Sequence, residues 1–266
     1  MVGINKTIWI TWFQGWDNAP DISQKCLESW KHYNPDWDII LLDNTNYKKY
    51  CNIDEVLPGL DTNNISLSDI LRLFLLKESG GIWADSTLFC NKPLNTWVHD
   101  IKDSFLFTRK DRMIASWFIA TQPNSYIVDV WYNNMVNYWK YRISETDQFE
   151  QQYGWVHALF RSSYAQDKKF KSIVDSWDKI DCLSDGQNRG RGPHLFAPYR
   201  KYFYNEISEQ IKNRIDAKVD PVYKLSYKIN TDWKSPGARG IHPTNQKIKM
   251  DYPSNSELNY LLGTIK

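Results

Sequence analysis

The stretch from Ser66 to Leu94 constrains the fold of this chain more than any other. Ile70, Leu71, Leu73, Phe74, Leu75 and Leu76 leave almost no polar surface, so their spacing predicts a mostly buried helix. Ser66 and Asp69 stand at capping-box spacing, which puts the start near Ser66. Gly80-Gly81 fits a helix C-cap and a tight turn, and Ile82-Trp83-Ala84 then reads as a short buried strand closed by Asp85. In open α/β sheets ligands bind beyond the carboxyl ends of strands. A carboxylate at that place can hold a divalent cation or a sugar hydroxyl; the plain alternative is a turn cap.

Asp69 and Arg72 are three residues apart and so neighbour each other on one face of that helix. Two charges in so apolar a helix are costly unless they pair with each other or with a ligand. An N-terminal acid favouring the helix dipole plus an internal ion pair is the structural alternative.

Upstream, Thr7 to Trp12 reads as a first strand, and Asp21 is placed to cap a helix running through Tyr33 with Cys26, Leu27 and Trp30 on one face. Trp37 to Leu42 follows as a nearly continuous apolar strand, the pattern of a strand covered on both faces. Strand, helix, strand implies a parallel crossover. A short helix is expected over Tyr47 to Tyr50, and polar turn formers from there to Asn64. Downstream come strands at Ser104 to Thr108 and Ser116 to Ala120, then helices from Ser125 to Tyr141 and from Phe149 to Ala165. Shorter helices follow near Lys168 to Trp177 and Glu206 to Ile215.

Composition excludes several classes. The 266 residues, 42% apolar, suffice for a sizeable core, and 33 basic against 31 acidic side chains give no strong field for nucleic acid. Cys26, Cys51, Cys90 and Cys182 are scattered and read as reduced core residues. Met1 to Trp16 lacks a signal-peptide pattern, and no apolar run approaches the roughly 20 residues of a membrane span. A cytoplasmic protein is the default. Aromatic residues make up 15%; flat rings cover sugars and bases, but their first use is packing. The five histidines show no metal-ligand spacing, and neither a complete dinucleotide fingerprint nor a P-loop is present.

Three motifs together carry a resemblance: Ser68-Asp69-Ile70-Leu71-Arg72, Gly80-Gly81-Ile82-Trp83-Ala84-Asp85-Ser86-Thr87 and Cys90-Asn91-Lys92-Pro93-Leu94. Their order and spacing resemble the sugar-nucleotide-binding core of the capsular polysaccharide synthesis glycosyltransferases. That family is related to yeast-type initiating mannosyltransferases and, more distantly, to the large clostridial glucosylating toxins. The likeness extends to Ile8 through Gly15, Ala19-Pro20, Ser29-Trp30, Asn34-Pro35 and Trp37 to Asp43, so residues 1–95 match well and the remainder patchily.

The resemblance implies a single GT-A type domain over residues 1–266, with residues 1–95 as the nucleotide-sugar-binding core. Its fold would be α/β, a Rossmann-like, mostly parallel sheet with helices on both faces. It implies that Trp9 lies against the nucleobase, that Asp69 and Arg72 contact the donor sugar, and that Asp85 addresses the ribose or a diphosphate-bound Mn²⁺ or Mg²⁺. The second Asp of the Asp-x-Asp element is here Thr87, a hydroxyl that binds such ions far more weakly than a carboxylate, which puts metal dependence in doubt. Other cations would then have to stabilise the leaving diphosphate. Arg189, Arg191 and Gly192-Pro193 resemble the family's Gly-Pro element, Tyr223 to Lys228 its late Lys-Leu strand, and Trp233 a tryptophan that closes over the diphosphate.

The expected activity is transfer of a sugar from a nucleotide diphosphate sugar to a glycan or lipid-linked glycan, with retention favoured. No membrane span is implied, though peripheral membrane contact is compatible. A non-catalytic binding protein of the same fold, or a toxin-like enzyme acting on protein, are the alternatives.

Overall fold

The computed structural model describes residues 3–98, 101–110, 112–144, 154–182, 193, 205–227 and 253–265. The chain divides into two compact units interleaved in sequence. The first comprises Met1–Phe13, Trp37–Ala84 and Val98–Ile180, the second Gln14–Asp36, Asp85–Trp97 and Asp181–Lys266.

The first unit holds a five-stranded sheet of β1 (Thr7–Thr11), β2 (Asp38–Leu42), β3 (Gly81–Ala84), β5 (Ser104–Arg109) and β6 (Met113–Thr121). Their spatial order is β2-β1-β3-β6-β5. β1 pairs in parallel with β2 and β3, while β6 is antiparallel to both β3 and β5. Four strands therefore share one direction and β6 alone opposes it, in keeping with the expected mostly parallel sheet. β2 differs from expectation: it is the sheet edge, and only Leu42 in it is buried. Its apolar run is only partly covered, with Ile40 packed against the core, and is not buried on both faces.

Register aligns Ile40, Trp9, Trp83, Ile119 and Leu106 in one row across the sheet. That row meets a core built with α3 (Asn64–Ser79), α4 (Tyr126–Ser144), α5 (Trp155–Gln166) and α6 (Lys168–Asp175). The next row, Ile8, Ile82 and Ala120, projects to the opposite face and is fully buried too, as the centre of such a sheet requires. Much of the aromatic content is used here. Tyr138 stacks on Trp155 at 5.6 Å, Trp131 meets Phe160 edge-on at 5.0 Å, and the Trp131 indole donates to the Val156 carbonyl.

A four-residue helix, α2 (Ile53–Val56), interrupts the segment that reads as loop before Asn64, anchored by the buried Ile53. α3 starts two residues ahead of Ser66. Asn63, not Ser66, is its cap, accepting from the Ser66 N–H at 2.9 Å. Asn63→Ala is expected to cost about 1 kcal/mol, a melting shift of roughly 2–4 °C by thermal denaturation, whereas Ser66→Ala leaves the cap intact. Gly80 and Gly81 have φ of 64° and 91°, and a Cβ on Gly81 would lie 2.6 Å from the Thr7 carbonyl oxygen. The pair is required by backbone geometry alone.

The second unit is built on α1 (Asp21–Tyr33), a two-stranded antiparallel pair of β4 (Leu88–Cys90) and β7 (Val222–Lys224), and the helices α7 (Glu209–Asp216) and α8 (Glu257–Leu262). Pro20 caps α1 and Asp21 is its first helical residue, where its charge still favours the helix dipole. The α1 face expected to be buried is buried: the Trp30 indole donates to the Leu88 carbonyl at 2.7 Å and Ser29 Oγ accepts from the Cys90 N–H. Ile22, Cys26, Phe89, Ile211, Tyr223, Leu225, Leu258 and Leu261 form its core. β4 and α8 are too short to stand out in the sequence. All four cysteines are free, and three are buried. Among the described residues no helix is long and apolar enough to cross a membrane.

Candidate active site

Within the first unit, α3 delivers Asp69 and Arg72 together. Arg72 Nη2 lies 2.8 Å from Asp69 Oδ1, with side chains only 5% and 14% exposed respectively. The rest of the guanidinium is held as firmly. Nη1 donates to the Ser116 carbonyl on β6 at 2.6 Å, Nε to the Ser68 carbonyl at 3.3 Å, and Cζ lies over the Trp83 ring, 5.0 Å from its centre. A planar donor fork so fixed cannot swing away, so Asp69 and Arg72 form one rigid, preorganised ion pair. Asp69 is the more exposed partner.

Trp9 lies in the same unit on β1, buried in the helix-side core, with its indole donating to the Gly80 carbonyl at 3.1 Å. Tyr50 meets it edge-on at 5.5 Å and is 41% exposed. The aromatic surface open to solvent here is thus the tyrosine, backed by the tryptophan.

Also in this unit, on α5, is His157, which reads in the sequence as a surface or core residue. Burial, and then the charges of Arg112, Arg72, Arg109 and Arg161, push its imidazole down from 6.5 to about 3. Its Nδ1 is buried, with no hydrogen-bond partner among the described residues. The folded protein therefore holds this ring neutral, and the unfolded chain takes up the proton first. The stability this contributes is complete above pH 6.5 and is lost as pH falls from there towards about 3. Between pH 6 and 4 a loss of about 1–3 kcal/mol is expected in denaturant titrations, and His157→Gln should flatten that slope.

In the second unit, Asp85 follows β3 in the chain, and the residues after it turn back into β4, with the Leu88 N–H donating to the Asp85 carbonyl at 2.9 Å. Lys224 on β7 reaches this turn. Its Nζ lies 3.0 Å from Asp85 Oδ2 and 2.6 Å from Thr87 Oγ1. Thr87 is buried, while Asp85 and Lys224 side chains are 26% and 17% exposed. Tyr227 stands close enough that burial, and then the Asp85 charge, push its phenol up.

Sequence reading singles out Asp85 and Thr87 and includes Lys224 in the Tyr223 to Lys228 strand, but assigns the donor contact to Lys228. The signal was strand alternation: Tyr223 and Leu225 are apolar and turn into the core, which leaves Lys224 for the other side. Lys228 and Trp233 lie outside the described residues, as do Arg189, Arg191 and Gly192. Pro193 is described, and its carbonyl accepts from the Lys224 N–H at 2.6 Å.

Asp85 and Thr87 fit a divalent ion poorly. They offer one carboxylate and one neutral hydroxyl, and both already accept from the Lys224 ammonium. A divalent ion placed about 4 Å from that ammonium would meet repulsion of about 8 kcal/mol at an effective dielectric of about 20. Among the described residues no group of three or more His, Cys, Asp or Glu side chains is placed to hold a metal.

The five-stranded, mostly parallel sheet with its packed helices defines the class as a Rossmann-like α/β protein. Residues 1–239 match the family described as "Capsular polysaccharide synthesis protein", and the chain belongs to that family. Among solved structures it is similar to "PaToxG Glycosyltransferase", at 16% identity over 65% of this chain and 73% of that one, with a TM-score of 0.45. No curated protein matches it.

Proposed function

We propose that this chain is a glycosyltransferase of GT-A type. It moves a sugar from a nucleotide diphosphate sugar to a hydroxyl of a surface glycan, capsular or similar, on the cytoplasmic side and with retention of configuration. The observation that carries this is the Asp69–Arg72 pair. The helix gains little from burying two charges among Leu and Phe, and the pair falls in the element where the family resemblance is strongest.

In this reading Asp69 accepts from donor-sugar hydroxyls while Arg72 holds that carboxylate in place. Trp9, with Tyr50 beside it, forms the aromatic wall for the base, and Asp85 addresses the ribose. The remaining closing residues are Lys228 and Trp233. The bond from the sugar's anomeric carbon to the diphosphate oxygen breaks, its electron pair leaving on the diphosphate. The acceptor oxygen bonds the anomeric carbon, and its proton leaves with the departing group or to water. Such transfer passes through an oxocarbenium-like state, so what the protein supplies is alignment and charge stabilisation.

A thermal-shift screen of nucleotide sugars tests this. The matching donor at about 100 times its Kd should raise the melting temperature by about 5–10 °C. Released nucleoside diphosphate should follow in the presence of acceptor glycan. Binding without any release would favour the binding-protein alternative, and label appearing on protein would favour the toxin-like one. Asp85→Asn should weaken donor binding by about tenfold or more, read from the same titration.

A further inference from the structure

In the second unit an ammonium contacts the two residues to which the family resemblance assigns a divalent ion. Lys224 Nζ bridges Asp85 Oδ2 at 3.0 Å and Thr87 Oγ1 at 2.6 Å.

This lysine is not a loose surface side chain. Its residue pairs with Leu88 in the β4–β7 register, its N–H donates to the Pro193 carbonyl, and the following Leu225 N–H donates to the Thr87 carbonyl at 2.8 Å. Tyr223 and Leu225 on either side are fully buried in the unit's core, so the pleat commits Lys224 to the side of Asp85 and Thr87. The backbone bond between Leu225 and Thr87 ties the strand carrying the cation to the turn carrying its acceptors. At 17% exposure the Lys224 side chain is largely withdrawn from water yet still reachable. An ammonium has three donors, and Asp85 and Thr87 take two.

Thr87 then acquires a physical reason. One carboxylate beside one ammonium is a neutral pair, which leaves a dianionic diphosphate free of net repulsion. A second carboxylate at residue 87 would make the cluster negative and repel the same group. A neutral hydroxyl keeps the lysine positioned without that charge.

We propose that Lys224 takes the place of the divalent ion: its ammonium, held by Asp85 and Thr87, is the fixed cation that binds the diphosphate of the donor, and binding proceeds without metal. This rests on the nucleotide-sugar reading above. Lysine suits the task as a compact point charge, a common way of holding phosphate, and it stabilises charge on a departing diphosphate without a coordination shell.

The test is calorimetric titration of the full chain with UDP, GDP, CDP and ADP, each in EDTA and in Mn²⁺, and with the matching monophosphates. The preferred diphosphate should bind in EDTA within about threefold of its affinity in Mn²⁺. Lys224→Met should weaken that diphosphate by about tenfold or more while changing the monophosphate by less than about threefold, and Lys224→Arg should retain most of the affinity. A merely structural lysine would not separate diphosphate from monophosphate. A wild-type affinity that collapses in EDTA and returns with Mn²⁺ overturns the proposal, independently of how any variant folds. So does Lys224→Met binding the diphosphate as wild type does. If no diphosphate binds under either condition, the nucleotide-sugar reading falls, and this proposal with it.

Discussion

Gly81→Ala is expected to destabilise the protein by at least about 3 kcal/mol, read as a melting temperature lower by roughly 6–12 °C. Two independent effects add. At φ of 91° a residue with a Cβ is strained, and that Cβ would sit 2.6 Å from the Thr7 carbonyl oxygen, which belongs to the backbone of β1 and cannot rotate away. Relief requires β1 and β3 to separate, yet Ile8 pairs with Ile82 and Trp9 with Trp83 just beyond. Gly80→Ala should cost less, because its closest atom, the Pro123 nitrogen, is at 3.0 Å. Gly3→Ala, with no atom within 4 Å, is the control and should leave the melting temperature unchanged. Equal melting of the Gly81 and Gly3 variants would contradict this account of the glycine pair.

Arg72→Ala should have the second large effect, on stability and on activity together. The substitution leaves Asp69 largely buried without its 2.8 Å ion pair, strips the Ser116 carbonyl of a donor, and uncovers the Trp83 ring. Removing one partner of a buried pair costs about 3–5 kcal/mol, so a melting temperature lower by about 10 °C is expected. Asp69→Asn should be milder for stability, since the guanidinium keeps Ser116 and Ser68. For sugar transfer both variants should lose at least about 100-fold, because misplacement of an orienting group by about 1 Å costs that much. Arg72→Lys is informative between them: it keeps a charge near Asp69 but not the fork that reaches Ser116. Wild-type turnover in Asp69→Asn or Arg72→Ala would remove the pair from the donor site.

How much of this was legible beforehand follows from the range of each interaction. α3, its glycine stop and β3 show in the sequence because apolar spacing and the glycine pair are local signals. The Asp69–Arg72 pair is legible for the same reason, as three-residue spacing on a helix guarantees neighbourhood. Caps were less so. Asn63 and Pro20 act where Ser66 and Asp21 had the better local pattern, because capping depends on where the backbone leaves the helix. β2 misled in another way: strong apolarity reads as double burial, yet its place at the edge is set by which strands pair, a non-local fact.

The amino-acid sequence by itself determined the α/β class, the buried helix with its glycine stop, and the family to which residues 1–239 belong. These rest on contacts between residues close in the chain and on motif spacing. Only the tertiary structure decided that the indole of Trp9 is tied to Gly80, that His157 is held neutral by burial and surrounding arginines, and that Lys224 stands between Asp85 and Thr87. The Lys224 contacts span 139 and 137 residues of chain. No local pattern encodes such an encounter; it arises when β4 and β7 pair, and it turns a weak metal motif into the seat of a built-in cation.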